Sequence, residues 1–528
     1  MKKSFPFLML FVLVSTGIFC QPHTNDKDSS GKKMAVHKDR NMFGHNIPRG
    51  LKINSPGLAD GYIMFAVPNS PFIYLINRRG DVVHQWKSNY SVFEAYLQDD
   101  GSLIQAVEDP DFPVFGCCGP YGRIQKISWD GKILWDYEYA NEQHIVHHDF
   151  TVMPNGHILA IAYEVMPYDK AIAMGRKAEL TPKSGPWTEE IVEIVPDGTM
   201  GGKIVWEWHL WDHFIQDADP KKSGYGNVAN HPELLDFNLG EPLPPPITQG
   251  ALDTAIANGM AHRNSTVDNQ GSDIFHFNAI KYNADLDQIV FSSPSLNEIF
   301  IIDHSTTTEQ AIGHAGGKSG RGGDFVYRWG NPKNYQRGDS TARQLFGQHD
   351  VRWIEKGKPG AGNLTVFNNH LPKDYEWDKP GSDAQNYSAI YEIVLPMDNG
   401  KYVIEKNKPF GPDKPSWKYV APDTFSFYSS FISGAHRMNN GNTFINEGAK
   451  GRFFEVTPDG KMVWEYLNPY RGDIRKMNGD PNSPMPMAYS NFRSTFIPAD
   501  HSGLANKKLE PLVPQPKPFF LPPPGDKH

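Results

Sequence analysis

His148, His276 and His349 stand at one point of a recurring pattern. Each belongs to an apolar run that leads through a turn rich in Gly, Asn or Asp into a second apolar strand: HHDFTVMPNGHILAIA from His147, HFNAIKYNADLDQIVFSS from His276 and HDVRWIEKGKPGAGNLTVFNN from His349. Aligned on the turn, they lie six residues ahead of Pro154, Tyr282 and Glu355. Side chains at one register of equivalent strands point the same way, so the pattern predicts three imidazoles converging on one place. A neutral imidazole has its pKa near working pH and can act as nucleophile, proton carrier or metal ligand. A single histidine in a strand array is ordinarily a hydrogen-bonded structural residue, and His84, His157 and His209 are read that way. Three in register define a candidate site.

The elements that must position them repeat along the chain. The template is an apolar strand, a Gly turn, a strand ending in Trp with an aromatic or acidic neighbour, a variable loop, and then the strand–turn–strand above. It begins at Tyr74 and Phe93, Ile124 and His147, Ile191 and His276, Ile299 and His349, Ile390 and Phe431, and finally Phe453 and Tyr489. The last unit stops one strand short, and the missing strand is present at the other end as YIMFAVP from Tyr62. Periodic four-strand units closed by pairing the two ends of the chain predict an all-β, six-bladed β-propeller closed by an N-terminal strand, with loop insertions. Trp135, Trp206 and Trp464 are then expected as packing between blades. The long insertion between Trp211 and Gly271, proline-rich from Pro242 to Pro246, is expected to shape the mouth on one face.

The same alignment places Phe93-Glu94, His148-Asp149, His276-Phe277, His349-Asp350, Ser433-Gly434 and Phe492-Arg493 toward the axis. His436 lies three residues after Ser433, an odd offset that points it to the other strand face unless a bulge intervenes. Asn278, Asn368, Asn369, Tyr428, Arg437 and Arg493 are further candidate rim groups.

Aromatic residues make up 12% of the chain, beside 48 Gly and 43 Pro, a mixture that favours short strands and tight turns over long helices. A net charge of −8 argues against a nucleic-acid partner, which would call for a basic face. Residues 1–20 read as a signal peptide, with Met1-Lys2-Lys3 ahead of the apolar stretch Phe5 to Phe19. That stretch is short for a membrane span, and no later segment is long and apolar enough for one. Residues 21–45 read as a flexible leader, 46–500 as the propeller domain and 501–528 as a Pro-rich tail lying along the surface. Beyond the signal only Cys117 and Cys118 remain, adjacent and flanked by glycines. Neighbouring Cα atoms ~3.8 Å apart would strain a disulfide, so a strained bridge in an oxidising compartment and a reduced pair both stay open.

The segments WEWHLWDHFIQD, HHDFTVMPNG, DIFHFNAIKYNADLDQIVFSS, IIDHSTTT, YRWGNP, LFGQHDVRW, SGAHRMNNGNTFI and GRFFEVTPDGKMVWEY resemble those of the bacterial arylsulfotransferase (aryl-sulfate sulfotransferase) family. The resemblance runs from Tyr62 to about Ile497. It implies an exported, periplasmic or extracellular six-bladed propeller that moves a sulfuryl group from a phenolic sulfate ester to another phenol. No nucleotide donor is used, and the sulfuryl group passes through a sulfated histidine. His276 in its HxN block and His349 in its QH block match central family histidines. Where the better-studied members place Arg after an aspartate-asparagine-glycine run, this chain has Phe367-Asn368-Asn369-His370, and at His436 many similar sequences carry Gln. The resulting expectation makes His276, His349, His436 and His148 the catalytic set. One imidazole attacks sulfur and a second protonates the leaving phenolate, while Arg493, Arg437, Asn278, Asn368 and Tyr428 hold the substrate. Sulfuryl transfer spreads charge over three oxygens as phosphoryl transfer does, so positioning and electrostatics suffice, with no cofactor and no metal. The alternative is an exported propeller, either non-catalytic or using the central histidines to bind a metal, with Asp149 and Asp350 as partners of its ligands.

Overall fold

Five four-stranded antiparallel sheets and one of five strands account for nearly all the strand structure among the described residues. The computed structural model describes residues 47–109, 112, 114–116, 119–240, 242–243, 245–257, 261–371, 386–472 and 489–517. The expected signal and leader, and both cysteines, lie outside the described residues.

Blade one is Gly61–Ala66, Phe72–Ile76 and Val82–Lys87 with Ser494–Pro498. Blade two is Ser91–Leu97, Leu103–Glu108, Gly122–Ile127 and Ile133–Glu138. Blade three is His144–Val152, Ile158–Val165, Trp187–Pro196 and Gly202–His209. Blade four is Ala279–Asn283, Gln288–Ser293, Glu298–Asp303 and Tyr327–Trp329. Blade five is His349–Trp353, Leu364–Leu371, Tyr387–Ile393 and Trp417–Tyr419. Blade six is Gly434–Arg437, Thr443–Glu447, Arg452–Val456 and Met462–Leu467, with Gly50–Asn54 as a fifth strand on its outer edge.

The chain is thus a six-bladed β-propeller. Its ring closes through blade one, where Tyr62 pairs with Ile497 and Phe65 with Ser494. The sequence repeat and the blade are out of step by two strands: each repeat joins the outer half of one blade to the inner half of the next.

The core is divided among the six blade interfaces, each with its own apolar cluster. Blades three and four share Leu159, Ile161, Ile280 and Phe291, and blades six and one share Ile63, Phe65, Phe444 and Phe453. The indoles sit across these seams. Trp135 donates Nε1–H to the Gly201 carbonyl at 2.6 Å, Trp206 to Thr306 Oγ1 at 3.2 Å and Trp464 to the Arg78 carbonyl at 2.8 Å. Each link ties one blade to the next, and truncating such a residue costs about 3–5 kcal/mol. Beyond blade one the chain runs back along its outer strand: Leu512 N–H donates to the Val82 carbonyl at 2.9 Å, and the Gln515 amide pairs with Val82 in both directions.

Two features of the inner strands matter for the site. Bulges interrupt the pairing at 147–149 of blade three, 350–351 of blade five and Phe93 of blade two. The left-handed residue is His148 (φ 53°) and, ahead of blade four, His276 (φ 50°), whereas in blade five it is Asp350 (φ 57°). A left-handed non-glycine residue re-aims its side chain at a local backbone cost, as bulges beside functional sites do. His349 is therefore one residue out of step with His148 and His276, a shift that spacing alone does not show.

A carboxylate-backed imidazole site at the propeller axis

The inner strands bring a buried charge cluster to the axis. Arg493, just ahead of the closing strand, lies 3.2 Å from Asp149 and 3.4 Å from Asp350 and donates to the Asn278 carbonyl at 2.5 Å. Lys281 pairs with Asp149 at 2.9 Å and Arg352 with Asp350 at 2.6 Å. Tyr96 Oη donates to Asp149 at 2.7 Å. Burial alone would raise the Asp350 carboxyl, but Arg352, Arg493 and Lys281 outweigh it and hold it at about 2. Burial pushes Glu94 the other way, up to about 8, despite Arg493. Near pH 7, then, Arg493, Arg352 and Lys281 face Asp149, Asp350 and a neutral Glu94. One positive charge is left in excess, and it favours an anionic ligand above the cluster.

The histidines stand beside this cluster. His148 and His276 meet edge to face with centroids 4.4 Å apart. His276 Nδ1 lies 2.5 Å from Asp273 Oδ2 and 3.2 Å from Tyr163 Oη. Its side chain is 16% exposed, and its Nε2 has no hydrogen-bond partner among the described residues. His148 Nδ1 lies 2.8 Å from Nδ1 of His147, whose Nε2 lies 2.8 Å from Glu189 Oε2. His147 also stacks on Tyr163 at 3.6 Å. Glu189 Oε1 accepts the Phe277 N–H at 2.8 Å, so one carboxylate braces the backbone beside His276 as well. Gly119 (φ 98°) lies against the His148 ring, where any β-carbon would collide with the imidazole.

His349 is held differently. Its Nδ1 is 3.0 Å from the Gly347 carbonyl and 2.9 Å from Asn369 Oδ1, and its Nε2 accepts the Ile432 N–H at 3.1 Å. Both nitrogens are engaged, and burial lowers the ring's pKa to about 3. His148 is pushed well below its usual value by burial, then by His276 and its other neighbours.

The remaining sequence candidates are scattered. His436 is in blade six, where its Nε2 accepts the Phe496 N–H at 3.2 Å and its ring packs 5.2 Å from Phe444; the structure does not bring it to the other three. Arg437 pairs with Glu392 at 2.5 Å and lies over Trp417. Asn278 joins Ser292 to the Gln348 carbonyl, and Asn368 links the Phe346 N–H to the Gln344 carbonyl, so both brace the chain around the site. Tyr428 Oη lies 3.0 Å from His370 Nδ1. Among the described residues, no trio of His, Cys, Asp or Glu with ligand atoms within 4.8 Å of one another includes His148, His276 or His349. Among the described residues, then, the axial histidines form no metal cage.

Asp273, Tyr163, Glu189 and His147 were not singled out by sequence. Asp273 follows directly on the long insertion, whose residues Asn264 and Ser265 donate to the Phe112 and Gly116 carbonyls at 2.8 and 3.0 Å. The only sequence signal for it is its place three residues before His276, in DIFH. A separate cleft of about 710 Å³ opens at the far ends of blades two and three, lined by Gln98, Lys126, Trp135 and Met153, and contains none of these histidines.

Ring and axis together define a six-bladed propeller whose centre carries imidazoles backed by buried carboxylates. The model of the family Arylsulfotransferase (ASST) matches residues 51–466, and the chain belongs to that family. Membership implies arylsulfotransferase activity. No curated protein matches the sequence. Among solved structures, the chain is similar to a protein of unknown function from Bacteroides caccae (10% identity, TM-score 0.41, covering 83% of this chain and 99% of that one). It is also similar to a streptogramin B lyase structure (11% identity, TM-score 0.34, 80% and 85%). A third similar structure is a putative 6-phosphogluconolactonase from Bacteroides fragilis NCTC 9343 (9% identity, TM-score 0.34, 84% and 99%).

Proposed function

We propose that this protein moves a sulfuryl group from a phenolic sulfate ester to a second phenol through a sulfated imidazole, with His276 as the nucleophile. The observation that carries this reading is the state of the His276 ring. Asp273 and Tyr163 engage Nδ1, while the side chain is partly exposed and its Nε2 is unpartnered among the described residues. A carboxylate at Nδ1 fixes the tautomer that leaves the Nε2 lone pair free, and it stabilises the positive charge that grows as nitrogen bonds to sulfur. The excess positive charge of the axial cluster draws in the sulfate ester and opposes the charge spreading over its oxygens. In the first half-reaction the Nε2–S bond forms as the bond from sulfur to the phenolic oxygen breaks. In the second, the acceptor's oxygen displaces the imidazole.

The reading includes export, supported by the charged and apolar start of the chain, and N-terminal sequencing of secreted protein tests that part. The chemistry is tested by incubating the protein with p-nitrophenyl sulfate alone. One sulfate adduct on the peptide bearing His276 is expected, and it should disappear when a phenol is added. Turnover without any adduct on a histidine would rule out the covalent route.

A further inference from the structure

We propose that Glu189, His147 and His148 form a proton relay that makes His148 the acid and base of the sulfuryl transfer. This rests on the reading of His276 as the nucleophile. The three groups are nearly or wholly buried and joined by two contacts of 2.8 Å, and the chain ends at His148, whose ring meets that of His276. His148 Nε2 has no hydrogen-bond partner among the described residues. The Nδ1-to-Nδ1 contact allows only one proton between the two rings, so the protonation of the whole chain has two consistent forms.

In one form Glu189 is neutral and donates to His147 Nε2. His147 Nδ1–H donates to His148 Nδ1, and His148 presents Nε2–H to the site. In the other, Glu189 is a carboxylate accepting from His147 Nε2–H, His147 Nδ1 accepts from His148 Nδ1–H, and His148 presents a lone pair. The forms differ by one proton, and neither contains an imidazolium. When the phenolate leaves sulfur it takes the Nε2 proton; His147 passes its proton to His148 Nδ1, and Glu189 passes its own to His147. When the acceptor phenol attacks the sulfated imidazole, its proton enters at His148 Nε2 and the transfers run backwards. One turnover restores the starting state: one proton leaves with the phenol released from the donor, and one arrives with the acceptor phenol.

The electrostatics agree with this. Burial, reinforced by Asp273, drives Glu189 well above the usual carboxyl range, and burial drives His147 and His148 well below the usual imidazole range. Storing the proton as a neutral acid costs less in this setting than storing it as a buried cation.

The test compares wild type with Glu189→Gln in the sulfation half-reaction, using p-nitrophenyl sulfate, whose leaving phenolate needs little protonation, and phenyl sulfate, whose phenolate needs it. Gln can keep its oxygen on the Phe277 N–H and its amide on His147, which preserves the packing but leaves the chain no proton to give. A loss of about 10²-fold or more is expected for phenyl sulfate and only a few-fold loss for p-nitrophenyl sulfate. His147→Phe, which keeps the stacking on Tyr163 and breaks both links, should show the same split and guards against misfolding of the first variant. Equal losses on both donors, or none, would overturn the relay while leaving the nucleophile standing. A wild-type protein inert toward both donors would overturn the sulfuryl-transfer reading itself.

Discussion

The two sides of the axis use the same residue type for opposite ends. On the side of blades three and four, His147, His148 and His276 are tied to Glu189 and Asp273, and among the described residues a ring nitrogen is left without a partner on both His148 and His276. On the side of blades five and six, His349 and His436 spend ring nitrogens on backbone N–H groups, carbonyls and an amide. At His276 the carboxylate of Asp273 stabilises the ring as charge develops, and at His147 and His148 the tie to Glu189 links the rings into a chain of proton-bearing groups, whereas a backbone partner fixes an imidazole's position and adds little reactivity. Histidine count and strand register do not separate these roles. The partner does.

The comparison breaks most sharply at the nucleophile. His276→Ala should lower turnover by about 10³-fold or more with every donor, because little alternative chemistry remains, while the fold survives loss of a partly exposed ring. Turnover at matched thermal stability checks this, and a near-normal His276→Ala would reverse the assignment of the two sides. Asp273→Asn is next. It keeps the shape but not the charge, and a loss of about 10–100-fold in kcat, with little change in KM, is expected from steady-state kinetics.

A smaller effect lies in the charge beneath the rings. Glu94, pushed up to about 8, ionises as pH rises through that value and cancels the excess positive charge. KM for an anionic sulfate donor should therefore climb a few-fold between about pH 7 and pH 9, and Glu94→Gln should flatten the climb. The same raised pKa contributes stability that is present below the ordinary carboxyl value and lost as pH rises past about 8.

The smallest effect sharpens the contrast from the other side. Burial holds His436 well below its ordinary value and His349 at about 3, so both charge more readily in the unfolded chain. Their stabilising contribution is present above about pH 6.5 and is lost as pH falls toward the folded values. His436→Gln, whose amide oxygen can still accept the Phe496 N–H, should leave turnover within a few-fold and make the melting temperature fall less steeply between about pH 6.5 and pH 4. If that substitution abolished turnover, blade six would belong to the reactive side.

Much of the ring was legible in the sequence, because alternating strands, Gly turns and the seam tryptophans repeat, and because a last unit one strand short called for the strand at Tyr62. The boundaries of the blades were less so, since a repeat has no intrinsic beginning. Of the site, His148 and His276 could be found by register. The shift at His349 could not, because which residue turns left-handed is decided by packing around the bulge. Glu189 and Tyr163 lie in strands whose alternation looks ordinary, and Asp273 comes just after an insertion with no period, so only folding brings them to the axis.

The last-made strand has a consequence for timing. Arg493 reaches the axis only when Ser494–Pro498 pairs with Gly61–Ala66, which joins nearly the two ends of the described chain. Until that pairing forms, Asp149 and Asp350 lack their shared cation and blade one lacks its innermost strand. A polypeptide that stops short of Arg493 therefore carries His148, His276 and His349 but lacks the cation that joins Asp149 to Asp350. Ring closure is thus the step that completes the charge cluster at the axis.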